Sequence, residues 1–318
     1  MKKIVYGEAK TEVSEVVLGL MRIGPGSQAS RLMEVNEVEE LIETALESGI
    51  NMLDIADVYG RGLCETRLGE AFDAKKGLRD RVFLQSKCGI RKGSGKDITY
   101  YDFSKEYILT ATEDILKRLR TDHLDCLLLH RPDVLMEPEE VAEAFDALKS
   151  SGKVLHFGVS NCNPIILERL RRVLPMPIVA NQMQLSCAFT PMIDAGVNVN
   201  MENDASVMRD GGTLEYCAMH DITVQAWSSL QYGFFGGVFI GSDKYKELNA
   251  VLERIAAEKN VTSAAVALAW ILRYPSSMQA VIGTTNPQHV KEAAAAQTFA
   301  LTRKEWYEIY VAAGNTLP

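Results

Sequence analysis

The chain has few cysteines and no pattern among them. Cys64, Cys88, Cys126, Cys162, Cys187 and Cys217 are scattered, with no CxxC pair and no ligand-like spacing. That leaves no disulfide framework and no zinc motif, so these thiols read as small apolar fillers in a reducing compartment. Cys88 is set apart only because it follows a candidate functional residue. His123, His220 and His289 show no ligand spacing either, and no metal is expected. No apolar run approaches the roughly 20 residues that cross a bilayer. The opening Met1-Lys2-Lys3-Ile4-Val5-Tyr6-Gly7-Glu8 turns polar too early for a signal peptide. Basic stripes are missing and the net charge is −8, which argues against nucleic-acid binding. The expected location is the cytoplasm, without membrane or nucleic-acid partners.

What is present describes a well-filled globular protein. Of 318 residues, 47% are hydrophobic and 24% charged, enough for an ample core. That length suits two ordinary domains or one large barrel. Residues 3–20 read as a hairpin followed by a strand, with Ile4-Val5-Tyr6, a polar turn, then Val16 to Leu20. Apolar strands recur at 50–55, 82–87, 124–130, 154–160, 178–182, 222–227 and 279–283. Helix-period segments lie between most of them, near 65–73, 104–120, 138–150, 163–172, 212–219 and 262–273. The helix after the first strand is expected to start at Asn36, with Glu39 completing a capping box.

Counting from 16–20 there are eight strands, the number that closes a (β/α)8 TIM barrel. With no linker-like shift in composition, one domain over 1–318 is favoured over an open sheet with a second domain. The barrel carries an N-terminal β-hairpin and a C-terminal helical tail, in which Thr302 and Glu305 form a capping box ahead of Trp306, Ile309 and Tyr310. Two segments exceed a minimal barrel, 187–211 and 230–243, the second followed by an extra helix near 245–258. These and the tail are expected to choose the substrate.

Gly24-Pro25-Gly26-Ser27-Gln28-Ala29 fits the glycine pattern of dinucleotide-binding turns, but only as a string. A true fingerprint opens a helix directly and has an acidic residue about 20 positions on. Here a polar loop intervenes, better placed over a barrel mouth.

Four side chains fall at or just beyond strand C-terminal ends: Asp54, Tyr59, Lys87 and His130. In a parallel barrel that rim is where side chains converge on one pocket. A phenol with an ordinary pKa of about 10 is a weak acid at neutral pH. An adjacent ammonium stabilises its anion and is expected to lower that value, while a carboxylate holds the ammonium charged. An imidazole adds a hydrogen bond to a carbonyl oxygen. Such a set delivers a proton to an oxygen on which negative charge builds. Asp57 reads as a turn residue and His156 as an outward or packed strand residue without chemistry.

Asp54, Tyr59, Lys87 and His130 resemble the catalytic tetrad of the aldo-keto reductase superfamily. Surrounding segments match in order: Leu53-Asp54 to Tyr59-Gly60, Thr121-Asp122-His123-Leu124-Asp125 to His130, and Gly152-Lys153-Val154 to Gly158-Val159-Ser160-Asn161. Ala180-Asn181-Gln182 and Ile282-Gly283-Thr284-Thr285-Asn286-Pro287 follow. The loops are most similar to the bacterial oxidoreductase branch.

The resemblance implies reversible hydride transfer between NADPH, or NADH, and the carbonyl of a small aldehyde or ketone. In it Tyr59 is the general acid, Lys87 tunes it, Asp54 partners Lys87 and His130 orients the carbonyl. Ser160, Asn161 and Gln182 match the positions that hold the nicotinamide carboxamide, and Trp227 the ring that stacks on it. Ser228 and Leu230 match the pyrophosphate stretch, Met21 and Arg22 the ribose. Gly283, Thr284, Thr285 and His289 occupy the 2′-phosphate region, where the family's strongest grip uses a Lys before the Ser/Thr and an Arg at the position of His289. Neutral His is a weaker anion anchor than Arg, so a shallow or reversed preference for NADPH is expected. Two other readings remain: a barrel lyase forming a Schiff base on Lys87, and a non-catalytic nicotinamide-binding redox sensor. Neither the physiological substrate nor the oligomeric state is legible.

Overall fold

The alternation of strand and helix closes on itself. In the computed structural model, which describes residues 3–7, 10–26, 29–93 and 97–318, the chain enters through an antiparallel hairpin, β1 (Lys3–Tyr6) and β2 (Thr11–Ser14). Then come β3 (Val16–Gly19), β4 (Met52–Asp54) and β5 (Phe83–Cys88). A short antiparallel ribbon, β6 (Ile90–Arg91) with β7 (Tyr100–Tyr101), interrupts the series. It resumes with β8 (Leu124–Leu129), β9 (Val154–Ser160), β10 (Ile178–Gln184), β11 (Thr223–Trp227) and β12 (Met278–Ile282). Strands β3, β4, β5, β8, β9, β10, β11 and β12 pair in parallel and in that order, and β12 returns to β3 through Val281 opposite Val17. This is a closed (β/α)8 barrel.

Eleven α-helices lie among the described residues. They are α1 (Val35–Glu47), α2 (Leu63–Ala74), α3 (Lys105–Leu119), α4 (Pro138–Ser150), α5 (Pro164–Arg171) and α6 (Pro191–Val197). The rest are α7 (Thr213–Met219), α8 (Lys246–Lys259), α9 (Ser263–Leu272), α10 (Pro287–Ala294) and α11 (Arg303–Ala312). Their starts are written locally. The side chains of Ser104, Asn163, Thr262 and Thr302 each accept a backbone N–H of the first turn, and prolines open α4, α5, α6 and α10, where a missing N–H is harmless.

The strands are buried on both faces, as parallel strands must be; every residue of β5 and β12 is buried. The larger core lies between barrel and helices and takes in Leu18, Leu53, Leu84, Leu127 and Val159 of the strands with helix residues such as Val38, Leu41, Ile115 and Leu148. A smaller one fills the barrel interior, where Ile4, Tyr6 and Val13 of the hairpin pack on Val17, Met52, Phe83 and Leu128. The hairpin is therefore a plug for the end of the barrel opposite the strand C-termini. His156 sits in that plugged end, stacked on Phe83 with ring centroids 6.0 Å apart.

Three local expectations change. The hairpin's second strand is Thr11–Ser14, ahead of the first barrel strand. Helix α1 starts earlier than Asn36: Glu34 is its cap, and Glu37 closes the capping box by accepting the Glu34 N–H at 2.8 Å. Glu37 is also gripped by Arg31, which fixes the entry before Asn36 is reached. Segment 187–211 contains α6, pinned to the tail by the Tyr310 hydroxyl donating to Asp194 at 2.8 Å. The tail follows its expected box, with Thr302 and Glu305 capping α11. Trp306 then stacks on Trp270 at 4.8 Å, each indole N–H donating to the other's carbonyl.

Among the described residues no single helix is long and apolar enough to cross a membrane, and no group of three or more His, Cys, Asp or Glu is placed to hold a metal. Ser27 and Gln28 of the glycine-containing loop, and Met1, Lys2 and Glu8 of the opening stretch, lie outside the described residues.

Candidate active site

The barrel brings the four strand-end residues together. Asp54 is the last residue of β4 and Lys87 the penultimate residue of β5, its neighbour in the sheet. The Lys87 ammonium donates to Asp54 Oδ2 at 2.8 Å, to the Ile55 carbonyl at 2.8 Å and to the Tyr59 hydroxyl at 3.2 Å. The two charged side chains are 0% and 4% exposed. An ammonium has three hydrogens, and here each has an acceptor. Tyr59 reaches Lys87 from the turn after β4, and its ring meets the His130 imidazole edge-on at 5.7 Å. His130 follows β8 and is held there by its N–H, which donates to the Cys88 carbonyl at 2.8 Å.

Protonation follows from burial and neighbours. Burial pulls the Lys87 ammonium down, but the Asp54 carboxylate and Tyr59 outweigh it and hold the group above the usual lysine value. The phenol departs from the sequence-based expectation. Burial raises Tyr59 by more than Lys87 lowers it, so it stays above its ordinary value and remains protonated at neutral pH. Burial, with Lys87, Arg131 and Lys92 around it, pushes His130 well below the ordinary imidazole value. The ring is neutral, and its buried Nδ1 has no hydrogen-bond partner among the described residues. Cys88 is buried with its thiol pushed well up, chiefly by that burial, so it is no nucleophile.

Asp54 has a second set of partners that sequence reading missed. Its Oδ1 accepts from Gln85 at 2.7 Å and from Gln182 at 3.0 Å. Both amides also donate to Gln225 Oε1, and Gln225 donates to the Tyr6 hydroxyl at 2.9 Å. Tyr6 donates in turn to Gln279 at 2.6 Å. A layer of four glutamines from β5, β10, β11 and β12 thus links the hairpin plug to the carboxylate at the rim. The available signal was a glutamine inside each of four strands expected to be buried, where a polar residue needs a partner.

Asp57, read as a turn residue, is in place as one: its N–H donates to the Lys87 carbonyl at 3.1 Å. Burial, with Glu65 nearby, pushes its carboxyl up to about 7, and its Oδ1 has no hydrogen-bond partner among the described residues. Glu65 is itself held by Ser86 and Arg118.

Above the four residues opens a cleft of about 1320 Å³. Asp54, Tyr59 and His130 line it, as do all twelve residues singled out for cofactor contact, while Lys87 sits behind. Ser160 is anchored by donating to the Gln182 carbonyl at 2.9 Å, and Asn161 donates to Ser160 Oγ at 2.7 Å. The Trp227 indole donates to Asn161 Oδ1 at 3.1 Å. Ser228 donates to Gln231 at 2.8 Å, beside Leu230. Arg22, next to Met21, donates to the Gly283 carbonyl at 3.2 Å. Thr284 Oγ1 accepts the Asn286 N–H at 3.1 Å and lies 3.5 Å from His289 Nδ1; with Thr285 they mark the start of α10.

The cleft walls differ from expectation in one respect. Segment 230–243 contributes Leu230, Gln231, Phe234, Phe235, Val238 and Ile240, but no residue of 187–211 or of the tail lines the cleft. The opposite wall comes from the unpredicted β6–β7 region, through Ile90, Lys92, Thr99 and Tyr101.

Comparison with known proteins bears directly on this geometry. The sequence profile of the aldo/keto reductase family matches residues 15–312. The chain belongs to that family. It is accordingly an NAD(P)-dependent oxidoreductase acting on carbonyl compounds. It is 35% identical over 317 residues to 6-dehydroglucose reductase of Agrobacterium fabrum, covering 98% of both chains. Oxidoreductase YdhF of Escherichia coli is 34% identical, again with 98% of each chain covered. Among solved structures, a thermostable aldo-keto reductase, Tm1743, in complex with the inhibitor epalrestat superposes with a TM-score of 0.76. Its identity is 26%, over 98% of this chain and 100% of that one.

The glutamine layer can be tested in this reductase. Gln85→Leu removes one of the three side-chain donors to the Asp54 carboxylate and leaves its Oδ1 on Gln182 alone. The Tm is expected to fall, since a buried acceptor left short of donors costs about 1–3 kcal/mol. An unchanged Tm would show that the Gln85 amide contributes nothing to holding Asp54.

Proposed function

We propose that the chain, acting as a single domain over residues 1–318, reduces a small aldehyde or ketone to the alcohol, with Tyr59 as general acid. The observation that carries this is the triple contact of the Lys87 ammonium with Asp54, Ile55 and Tyr59. NADPH, when bound, supplies the hydride. The Tyr59 hydroxyl gives its proton to the carbonyl oxygen as charge develops there, and the Lys87 ammonium 3.2 Å away stabilises the phenolate left behind. Neutral His130 donates a hydrogen bond to the same oxygen and sets its position. Asp54 keeps Lys87 charged and aimed. The reverse sequence of proton movements serves alcohol oxidation.

The cleft fits a long dinucleotide. Ser160, Asn161 and Gln182 offer polar atoms to the carboxamide end, and Trp227, fixed through its indole N–H, offers a ring face. Ser228, Leu230, Met21 and Arg22 line the middle. Gly283, Thr284, Thr285 and His289 meet the far phosphate, where the N-terminal turn of α10 favours an anion.

Lys87 is poorly suited to a Schiff base. That chemistry needs a neutral amine facing the substrate, and this one is charged, buried and fully engaged. Four groups placed for proton transfer also weigh against a purely sensing role. The net charge of −8 suits a small soluble substrate better than nucleic acid or an anionic membrane, and the cytoplasm is the proposed location.

Tyr59→Phe removes the proton donor and keeps the ring. Carbonyl reduction followed by nicotinamide absorbance should fall by about 10²–10⁴-fold while cofactor binding, read by fluorescence titration, stays nearly intact. Equal activity would remove Tyr59 from the acid role. The same titration with both nucleotides should give NADPH and NADH affinities within about tenfold of each other, or NADH tighter; a ratio in the many hundreds for NADPH would contradict the weak anchor at His289.

A further inference from the structure

Arg131 directly follows His130 and lines the same cleft. Its guanidinium lies 5.5 Å from the Trp227 ring centroid and 5.8 Å from that of Phe234, which themselves meet edge-on. Two aromatic rings, not a carboxylate, hold it. Most surface arginines of this chain are handled differently: Arg79, Arg81, Arg118, Arg120 and Arg254 each sit on an acidic side chain. Arg131 has no such partner among the described residues, although it is half-buried, where an uncompensated charge is costly.

The wall around it is also cationic. Lys92 lines the cleft from the β6–β7 region, likewise without an ion pair among the described residues. The acidic side chains of the lining are Asp54, engaged by Lys87, and Glu292 on α10, which accepts from Gln288. The substrate side therefore presents positive charge, fixed in direction by stacking, next to the reacting groups.

Resting on the carbonyl-reductase reading of this cleft, we propose that the preferred substrate is an oxo acid: an aldehyde or ketone whose carboxylate is received by Arg131 while its carbonyl oxygen meets Tyr59 and His130. A planar fork of N–H donors matches a carboxylate. Stacking on Trp227 and Phe234 leaves the guanidinium edge for that contact.

Matched pairs test the idea. Purified enzyme with NADPH is assayed on 4-carboxybenzaldehyde against 4-formylbenzamide, and on succinic semialdehyde against butanal. The acid should have the larger kcat/KM by about ten- to a hundredfold, the worth of a hydrogen bond to a charged group, and this ratio should shrink as salt is added. In Arg131→Met the ratio should fall towards one, with part regained in Arg131→Lys. Equal or better use of the neutral members, or an acid preference that survives Arg131→Met, would overturn the proposal. Should the variants fail to fold, the wild-type ratio and its salt dependence decide alone. Reduction of both members at equal efficiency defeats this inference but keeps the reductase reading; reduction of neither member of any pair defeats both.

Discussion

A single buried cation organises the rim of this barrel. Lys87 has no exposed surface, and an ammonium taken out of water is tolerated only when its charge and its hydrogens are all answered. Asp54 answers the charge; Asp54, Ile55 and Tyr59 answer the hydrogens. Removing one partner of a buried ion pair typically costs about 3–5 kcal/mol, so the position of Tyr59 is bound up with the stability of the pair. The phenol is thereby delivered to the cleft protonated, beside the ammonium proposed to stabilise it once its proton has gone.

The demand does not stop at Asp54. A carboxylate with one oxygen on Lys87 still has acceptor capacity on the other, and Gln85 and Gln182 fill it. Those amides need partners in their turn, which accounts for Gln225, Gln279 and Tyr6. Tyr6 belongs to the hairpin that plugs the far end of the barrel, so the reacting end and the plugged end share one hydrogen-bonded layer. Such a layer is rigid when every member is satisfied, and that rigidity suits the acid role proposed for Tyr59.

Much of this was legible in the chain. Apolar runs with helix-period segments between them disclose a parallel barrel, because strands buried on both faces have little room for polar residues. Asp54, Tyr59, Lys87 and His130 stood out as polar groups at strand ends. Other features were hidden for physical reasons. The start of α1 depends on Glu34, Glu37 and Arg31 acting together, and Glu is not a usual cap. The ribbon at β6 and β7 is too short to leave a periodic pattern, yet it builds one cleft wall. Segment 187–211 looked like a substrate-choosing loop by its length and polarity, but α6 and the Asp194–Tyr310 bond tie it to the tail instead. The rise of the Tyr59 phenol comes from its own burial, which outweighs the pull of Lys87 and which spacing does not encode.

The positive wall at Arg131 and Lys92 extends the same logic, since charge left without an ion pair among the described residues, beside the proposed reacting groups, is available to a ligand. All of it depends on Lys87 being the cation that stabilises the phenolate. Single-turnover hydride transfer in Lys87→Met, with NADPH bound before a carbonyl substrate is added, tests this most directly. The account predicts a transfer rate lower by at least about 10²-fold with nucleotide affinity retained. A rate within about twofold of the wild type would contradict it.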